Sequence, residues 1–306
     1  MTRSRRIGVL GEALVDVVQK DGAARACPGG SGLNVALALA RLEAPVAFCG
    51  ALSSDDAGAG LTKCLADEGV DLSHALTSAR PCPRVLVTPG ADGSPVYDLR
   101  LSGSALDEEP GAWRLPNDLL DLHATSFAST TGAQGAAALA ALHAARDHAS
   151  TSFDPNVRRA VLPPLAEARA LIAARVAAAD IVKVSAEDLT ELGGDPAPLL
   201  REWRGLGPGL LIVTRGAAGA LAFFEGGEID VTAPRVEVRD TVGAGDTFMA
   251  ALIAQMRLDD ALGPRKRSFE AAQIARWLAF AAQAAALCCT KEGCDPPRRS
   301  DWSSQR

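Results

Sequence analysis

The sequence predicts an α/β protein, a three-layer sandwich with a mostly parallel central sheet and a small antiparallel β lid. Three observations carry this. Short apolar runs that read as buried strands alternate with longer alanine- and leucine-rich runs that read as helices, the order that produces a parallel sheet covered on both faces. Two further segments, near residues 13–27 and 85–101, are interrupted by Asp21-Gly22 and Gly90-Ala91-Asp92-Gly93, and such turns signal hairpins. The chain has 306 residues, enough for one large buried core. We expect a single domain over 1–306, with a discontinuous lid from about 12–28 and 84–103.

The elements follow in order. Ile7–Leu10 is a short buried strand ending at Gly11, and Ala13–Gln19 is a second strand. Pro28-Gly29-Gly30-Ser31-Gly32 reads as a loop leading into a helix over Leu33–Leu42. Val46–Cys49 is a strand, and Asp55–Glu68 a helix with Asp55 near its start. Val85–Thr88 and Val96–Leu101 form the second hairpin. Strands are then expected at Ala124–Ala128, Ser152–Asp154, Ile181–Val184 and Leu210–Thr214, with Gly219–Phe224 after the last. Helices are expected at Gln134–His148, Leu165–Ala178, Gly243–Met256 and Phe269–Cys288, and Ser185 is placed to cap a short helix.

Composition excludes several classes. The formal net charge of -6 argues against a nucleic-acid or anionic-membrane surface as the main partner, and the basic run Arg265-Lys266-Arg267 reads as a solvated loop. The seven cysteines show no Cys-x-x-Cys spacing, so neither a disulfide framework nor a zinc site is expected, and the protein reads as cytoplasmic. The richest apolar run, Trp277–Cys289, is short and interrupted by Gln283, so no membrane span is expected.

Two stretches carry chemistry. In Gly243-Ala244-Gly245-Asp246 small residues stand at the mouth of a helix. Backbone N–H groups there can approach an anion, and the helix dipole adds positive potential. A carboxylate beside such a site suits the removal of a proton from an attacking hydroxyl. A plain glycine turn with Asp246 as a helix-capping residue fits the same letters. Gly29-Gly30-Ser31-Gly32-Leu33-Asn34 is a second glycine-rich approach to a helix; Asn34 offers a donor and an acceptor suited to sugar hydroxyls, and Asp16 two acceptor oxygens. Neither stretch is a Walker loop or a dinucleotide fingerprint.

Taken together, the two stretches resemble the signatures of the ribokinase-like (PfkB) carbohydrate kinases. "GGSGLNVALALARL" is similar to the first signature and "DTVGAGDTFMAAL" to the second, with "FDPNVR", "VKVSAEDL" and "VTRGAAGA" between them in the family's order. The wording is most like bacterial fructokinases and 2-keto-3-deoxygluconate kinases. The resemblance implies that Asp246 is the catalytic base and that Gly243, Ala244 and Gly245 form the anion hole for the moving γ-phosphoryl group. It implies that Asp16, Gly29, Gly30 and Asn34 hold the sugar, and that Arg158 touches the sugar or neutralises phosphate. It places Ser185, Thr214 and Gly216, with Gly243 and Gly245, at the ATP.

The family's magnesium-associated Asn-x-x-Glu aligns with Ser185-Ala186-Glu187-Asp188, which leaves Asp188 or Glu187 for an outer-shell Mg2+ role. Asp240, Val242 and Gly293 are candidates for a K+ site. The Asn that many relatives carry near the adenine is replaced by Ala282, next to Gln283. The implied activity is ATP-dependent phosphorylation of a small monosaccharide, with fructose leading and 2-keto-3-deoxygluconate, ribose or a nucleoside behind it. The implied assembly is a homodimer through the lid. A non-catalytic sugar sensor on the same scaffold is the alternative of another class.

Overall fold

Alternation along the strands sorts the core into two layers. The structure, a computed structural model, describes residues 5–20, 23–89, 95–193, 195–264 and 268–305. In β11 (Ile181–Ser185) and β12 (Leu210–Thr214), Ile181, Leu210 and Ile212 pack into one hydrophobic cluster, while Val182, Val184, Leu211 and Val213 pack into the other. A strand buried on both faces must therefore read as a continuous apolar run. The first cluster takes in helices α1 (Ser31–Arg41), α7 (Ala244–Leu258) and α8 (Ala271–Cys289). The second takes in α3 (Gly132–Ala145), α4 (Leu165–Ala178) and α6 (Pro196–Gly205). The result is the three-layer arrangement expected.

The eight-stranded sheet has the order β14-β13-β12-β11-β10-β9-β1-β4. Here β1 is Arg6–Leu10, β4 Val46–Phe48, β9 Leu119–Thr125, β10 Ser150–Asp154, β13 Ala220–Phe224 and β14 Gly227–Val231. From β12 to β4 every neighbouring pair is parallel, and β13 and β14 form an antiparallel edge. The chain runs from β1 to β4 on one side and resumes at β9 on the other. The order thus reverses between β1 and β9, the place where open sheets of this kind leave a crevice beyond the carboxyl ends of their strands.

Strand β9 begins earlier than the sequence suggested, at Leu119 instead of Ala124, and Phe127–Ser129 is a 3-10 turn. The reason is Asp121 and His123, which interrupt the apolar run yet are fully buried. Ser152 on β10 reconciles them with the core: its hydroxyl donates to Asp121 Oδ2 at 2.7 Å and lies 3.0 Å from His123 Nδ1. Burial pushes the Asp121 carboxyl up to about 7. It pushes His123 down to about 3, with the Lys183 charge adding to the effect.

A second sheet has the order β3-β2-β7-β8, from β2 (Leu14–Lys20), β3 (Ala23–Gly29), β7 (Arg84–Pro89) and β8 (Pro95–Arg100). Each hairpin is antiparallel, but the pair that joins them, β2 to β7, is parallel. The lid, expected to be antiparallel, is thus a mixed sheet with one parallel pair. A short turn forces its own two strands to run oppositely, and no such turn constrains strands from separate hairpins. The Asp21-Gly22 and Gly90–Gly93 turns, the Tyr97 side chain and the Arg265–Arg267 run lie outside the described residues. A two-stranded sheet of β5 (Ala51–Ser53) and β6 (Leu76–Ser78) completes the strands.

Helix ends follow their caps. Asp55 caps α2 (Asp56–Asp67) by accepting from Gly58 N–H at 2.7 Å. Ser185 and Asp188 form a reciprocal capping box on α5 (Ala186–Glu191). Among the described residues α8 is the one helix long and apolar enough to cross a bilayer. Here it packs on α7, with Trp277, Leu278 and Ala281 fully buried and Trp277 donating to Asp259 at 2.8 Å.

Candidate active site

Helix α1 starts as soon as β3 ends, so the loop expected over Pro28–Gly32 contracts to one residue, Gly30. Gly30 sits at φ 95°, open to glycine and costly for other residues. A Cβ there would lie 2.6 Å from the Glu12 carbonyl oxygen. This tight passage sets Ser31 and Asn34 in the first turn of α1, facing α7 across the crevice.

Helix α7 begins at Ala244 after Gly243, which adopts the left-handed conformation at φ 74°. The N–H groups of Gly245 and Asp246 open the helix and have no acceptor one turn back within it. Asp246 itself is buried, and its two oxygens are held from three directions. Ser31 Oγ donates to Oδ1 at 2.6 Å, Asn34 Nδ2 to Oδ2 at 2.8 Å, and Asn156 Nδ2 reaches Oδ1 at 3.3 Å. An ionised carboxylate can only accept hydrogen bonds, so this cluster of donors suits an aspartate that carries charge. It does not resemble a helix cap, which would accept from its own backbone.

The residues expected at the sugar lie on the lid, on the approach to α1 and, for Arg158, in the loop after β10. Asp16 on β2 is half-buried; burial raises its pKa and the Arg158 charge opposes that rise. Gly29, which pairs with Leu14 across the hairpin, leaves room for that carboxylate: a Cβ on Gly29 would overlap Asp16 Oδ2. Contacts thus link Asp16 to Gly29 and to the Arg158 charge, and Asn34 to Asp246. The residues expected at the ATP lie at the ends of neighbouring strands. Ser185 closes β11 in register with Thr214 at the end of β12, and Gly216 follows at φ 54°. Asp154 and Asn156 stand at the end of β10, and Glu12 follows β1. All lie at the carboxyl ends of parallel strands, where the sheet order places a ligand crevice.

Residues 6–301 match the pfkB family carbohydrate kinases. The chain belongs to that family. Its reaction is therefore phosphoryl transfer to a carbohydrate hydroxyl. The kinase is 32% identical over 265 residues to a fructokinase of Rhizobium leguminosarum bv. trifolii, covering 84% of this chain and 81% of that one. It is 34% identical over 269 residues to an aminoimidazole riboside kinase of Salmonella typhimurium, covering 83% and 81%. Among solved structures, the fructokinase with bound ATP from Xylella fastidiosa superposes with a TM-score of 0.85 at 25% identity, over 98% of this chain and 99% of that one.

Several residues of the kinase site escaped the sequence reading. Ser31 links three parts of the crevice: its N–H donates to Glu12 Oε1 at 2.9 Å, and its hydroxyl, besides reaching Asp246, lies 2.7 Å from Thr125 Oγ1. Glu12 is buried beneath α1, and burial, with the Asp246 charge adding, pushes its carboxyl up to about 7. Lys183 projects from β11, with 4% of its side chain exposed, to pair with Asp154 at 2.7 Å. Burial opposes its charge, but Asp154, Asp188 and Asp246 together outweigh burial and raise its pKa. A lysine inside "IVKVS", an otherwise buried strand, was the available signal.

The metal-associated pair separates. Asp188 is buried, with Oδ1 accepting from Val157 N–H at 2.9 Å and Oδ2 from Ser185 N–H at 3.2 Å, whereas Glu187 is exposed. Ala282 is buried in the core and Gln283 is partly exposed. Asp240 ties the loop before α7 to the segment after α8: Oδ1 accepts from Val242 N–H at 3.0 Å and Oδ2 from Gly293 N–H at 2.8 Å.

Proposed function

We propose that this kinase transfers the γ-phosphoryl group of ATP to a hydroxyl of fructose or a related ketose, with Asp246 as the general base. The observation that carries the reading is the buried Asp246 carboxylate, held by Ser31, Asn34 and Asn156 at the open N-terminus of α7. The acceptor hydroxyl would sit between Asp246 and the sugar-side group of Asp16, Gly29, Gly30 and Asn34. As that hydroxyl attacks phosphorus, its proton passes to the Asp246 carboxylate. Negative charge on the equatorial oxygens is met by the N–H groups around Gly243, Ala244 and Gly245 and by the helix dipole. Arg158, opposite Asp16, adds positive charge at the outer rim. Closure of the lid sheet would exclude water and prevent loss of ATP to hydrolysis.

ATP would lie along Ser185, Thr214 and Gly216. Among the described residues no group of three or more His, Cys, Asp or Glu could hold a metal ion. Mg2+ therefore fits as a companion of the phosphates, where it neutralises their charge. Asp188, with a lone pair left on each oxygen, suits contact with its water shell; exposed Glu187 suits it less. The loop tied by Asp240, with Val242 and Gly293, is the place for K+; turnover in potassium against tetramethylammonium buffer tests it. We assign a cytoplasmic location, which the seven free thiols suit. The edges of the lid sheet, β3 and β8, offer a second copy a place to pair, and sedimentation tests the homodimer.

The test is ADP release with Mg-ATP against hexoses, pentoses, sugar acids and nucleosides. Turnover on fructose is expected, with loss of about 10²–10⁴-fold in kcat for Asp246→Asn and nucleotide affinity kept. Unchanged turnover in that variant would remove Asp246 from the base role. Aminoimidazole riboside belongs in the panel as the second reading, because a kinase for it is among the relatives; preference for it, or for 2-keto-3-deoxygluconate or ribose, would replace fructose. Sugar binding without turnover would mark a sensor.

A further inference from the structure

The crevice poses an electrostatic problem. Asp154, Asp188 and Asp246 all act on one point, the Lys183 ammonium, and all three are buried. A site that must take in a polyphosphate should not present three buried carboxylates to it without compensation. The backbone donors at the start of α7 supply partial charges only. Among these groups the full positive charge is Lys183.

Its position is specific. Lys183 rises from the third residue of β11, and Nζ donates to Asp154 Oδ2 at 2.7 Å. On its other side it lies against Gly245: a Cβ on that glycine would stand 2.9 Å from Nζ and 3.9 Å from Cε. Gly245 has ordinary negative φ, so its own backbone conformation does not call for glycine. The close approach of the ammonium does. The ammonium has three donors, and the salt bridge to Asp154 occupies one.

We propose that Lys183 is a positioning residue for phosphoryl transfer, whose ammonium, seated against Gly245, supplies the fixed positive charge on the buried side of the anion hole. Asp154 holds it there. Its charge makes the turn at Gly243–Gly245 receptive to a phosphoryl group despite the neighbouring carboxylates, and it accounts for glycine at position 245. The proposal rests on the kinase reading above and assigns a role to a residue outside the two glycine-rich signatures.

The test separates a reaction role from a purely structural ion pair. Lys183→Met alone leaves Asp154 buried and unpaired, and a lower thermal midpoint is expected. The double variant Asp154→Asn/Lys183→Met removes both charges and should recover most of that midpoint. If Lys183 serves only Asp154, the double variant also recovers turnover, and the proposal is overturned. We expect kcat in the double variant to stay about 10²-fold down, while Asp154→Asn alone, which keeps the ammonium, stays within about tenfold of wild type.

Binding gives a second readout that needs no turnover. Loss of Lys183 should weaken β,γ-imido-ATP about tenfold more than ADP, since only the former reaches the anion hole. Equal weakening of the two, or none, would overturn the proposal. Should the double variant not fold, Gly245→Ala displaces the ammonium without changing its charge, and the same selective loss of β,γ-imido-ATP is expected; wild-type selectivity there would count against it. A wild-type protein that turns over no sugar would remove the kinase reading alone, because the nucleotide comparison still reports on Lys183.

Discussion

The approaches to α1 and α7 are both spelled in glycine, and they answer opposite demands. At α1 the glycines are packed shut: Gly30 is pressed against the Glu12 carbonyl, and a Cβ on Gly32 would lie 2.6 Å from the Gly11 carbonyl carbon. At α7 the run Arg239–Gly245 is exposed or half-exposed; Gly243 is backed by Cys294, whereas Gly245 meets only the tip of a lysine. One approach lets a helix close onto a sheet; the other leaves the mouth of a helix open at Gly245. Equal spelling therefore does not mean equal surroundings, and the neighbours of Gly32 and Gly245 tell the two apart.

The sharpest way to break this contrast is a pair of alanines. Gly32→Ala should destabilise the fold by about 1–3 kcal/mol, because rigid backbone stands in the way, with the kcat of the surviving protein little changed. Gly245→Ala should do the reverse, since a lysine tip can swing aside: little change in urea midpoint and a large fall in kcat. Equal stability losses in the two would erase the distinction.

A smaller effect is expected between the two approaches. Ser31→Ala removes the donor to Asp246 and the link to Thr125. A hydrogen bond to a charged group contributes about 1.5–3 kcal/mol, so kcat should fall with fructose KM nearly constant. A change in KM alone would place Ser31 with the sugar. Asn34→Ala should weaken sugar binding far more than ATP binding, as calorimetry would show.

The smallest effect is one of pH. Glu12 and Asp121 are both pushed up to about 7 by burial. In the unfolded chain they lose their protons near pH 4, so between these values the folded protein binds more protons than the unfolded one. Their contribution to stability is complete below the unfolded pKa and is lost as pH rises through about 7. Urea denaturation should show a drop from pH 5 to pH 8 that Asp121→Asn reduces. A stability that rises over that range would contradict it.

The fold was legible wherever apolar runs were unbroken. β11, β12 and the helices after Gly243 and Phe269 fall within a few residues of expectation. β9 was misplaced because each of its two buried polar residues finds a partner in a serine on another strand, a contact no local window contains. α6 was overlooked although Asp195 and Pro196 spell a helix start, and Asp195 does cap it. In the site, Asp246 and Asn34 were readable because their glycine contexts are distinctive. Ser31 and Glu12 were not, since a serine in a glycine-rich loop reads as solvent-facing until the carboxylate it donates to is seen. Lys183 was readable in principle, as a charge in a buried strand, but its partner Asp154 comes from a different strand.

The donors that grip Asp246 have a consequence in time. Ser31 and Asn34 precede it by 215 and 212 positions. A ribosome makes them long before it makes the carboxylate they hold. On the roles proposed above, the emerging protein holds the sugar-facing half of its chemistry for most of its synthesis and none of the base. Phosphoryl transfer by these residues would then wait for Asp246 to be translated, and competence would arrive together with the finished sandwich.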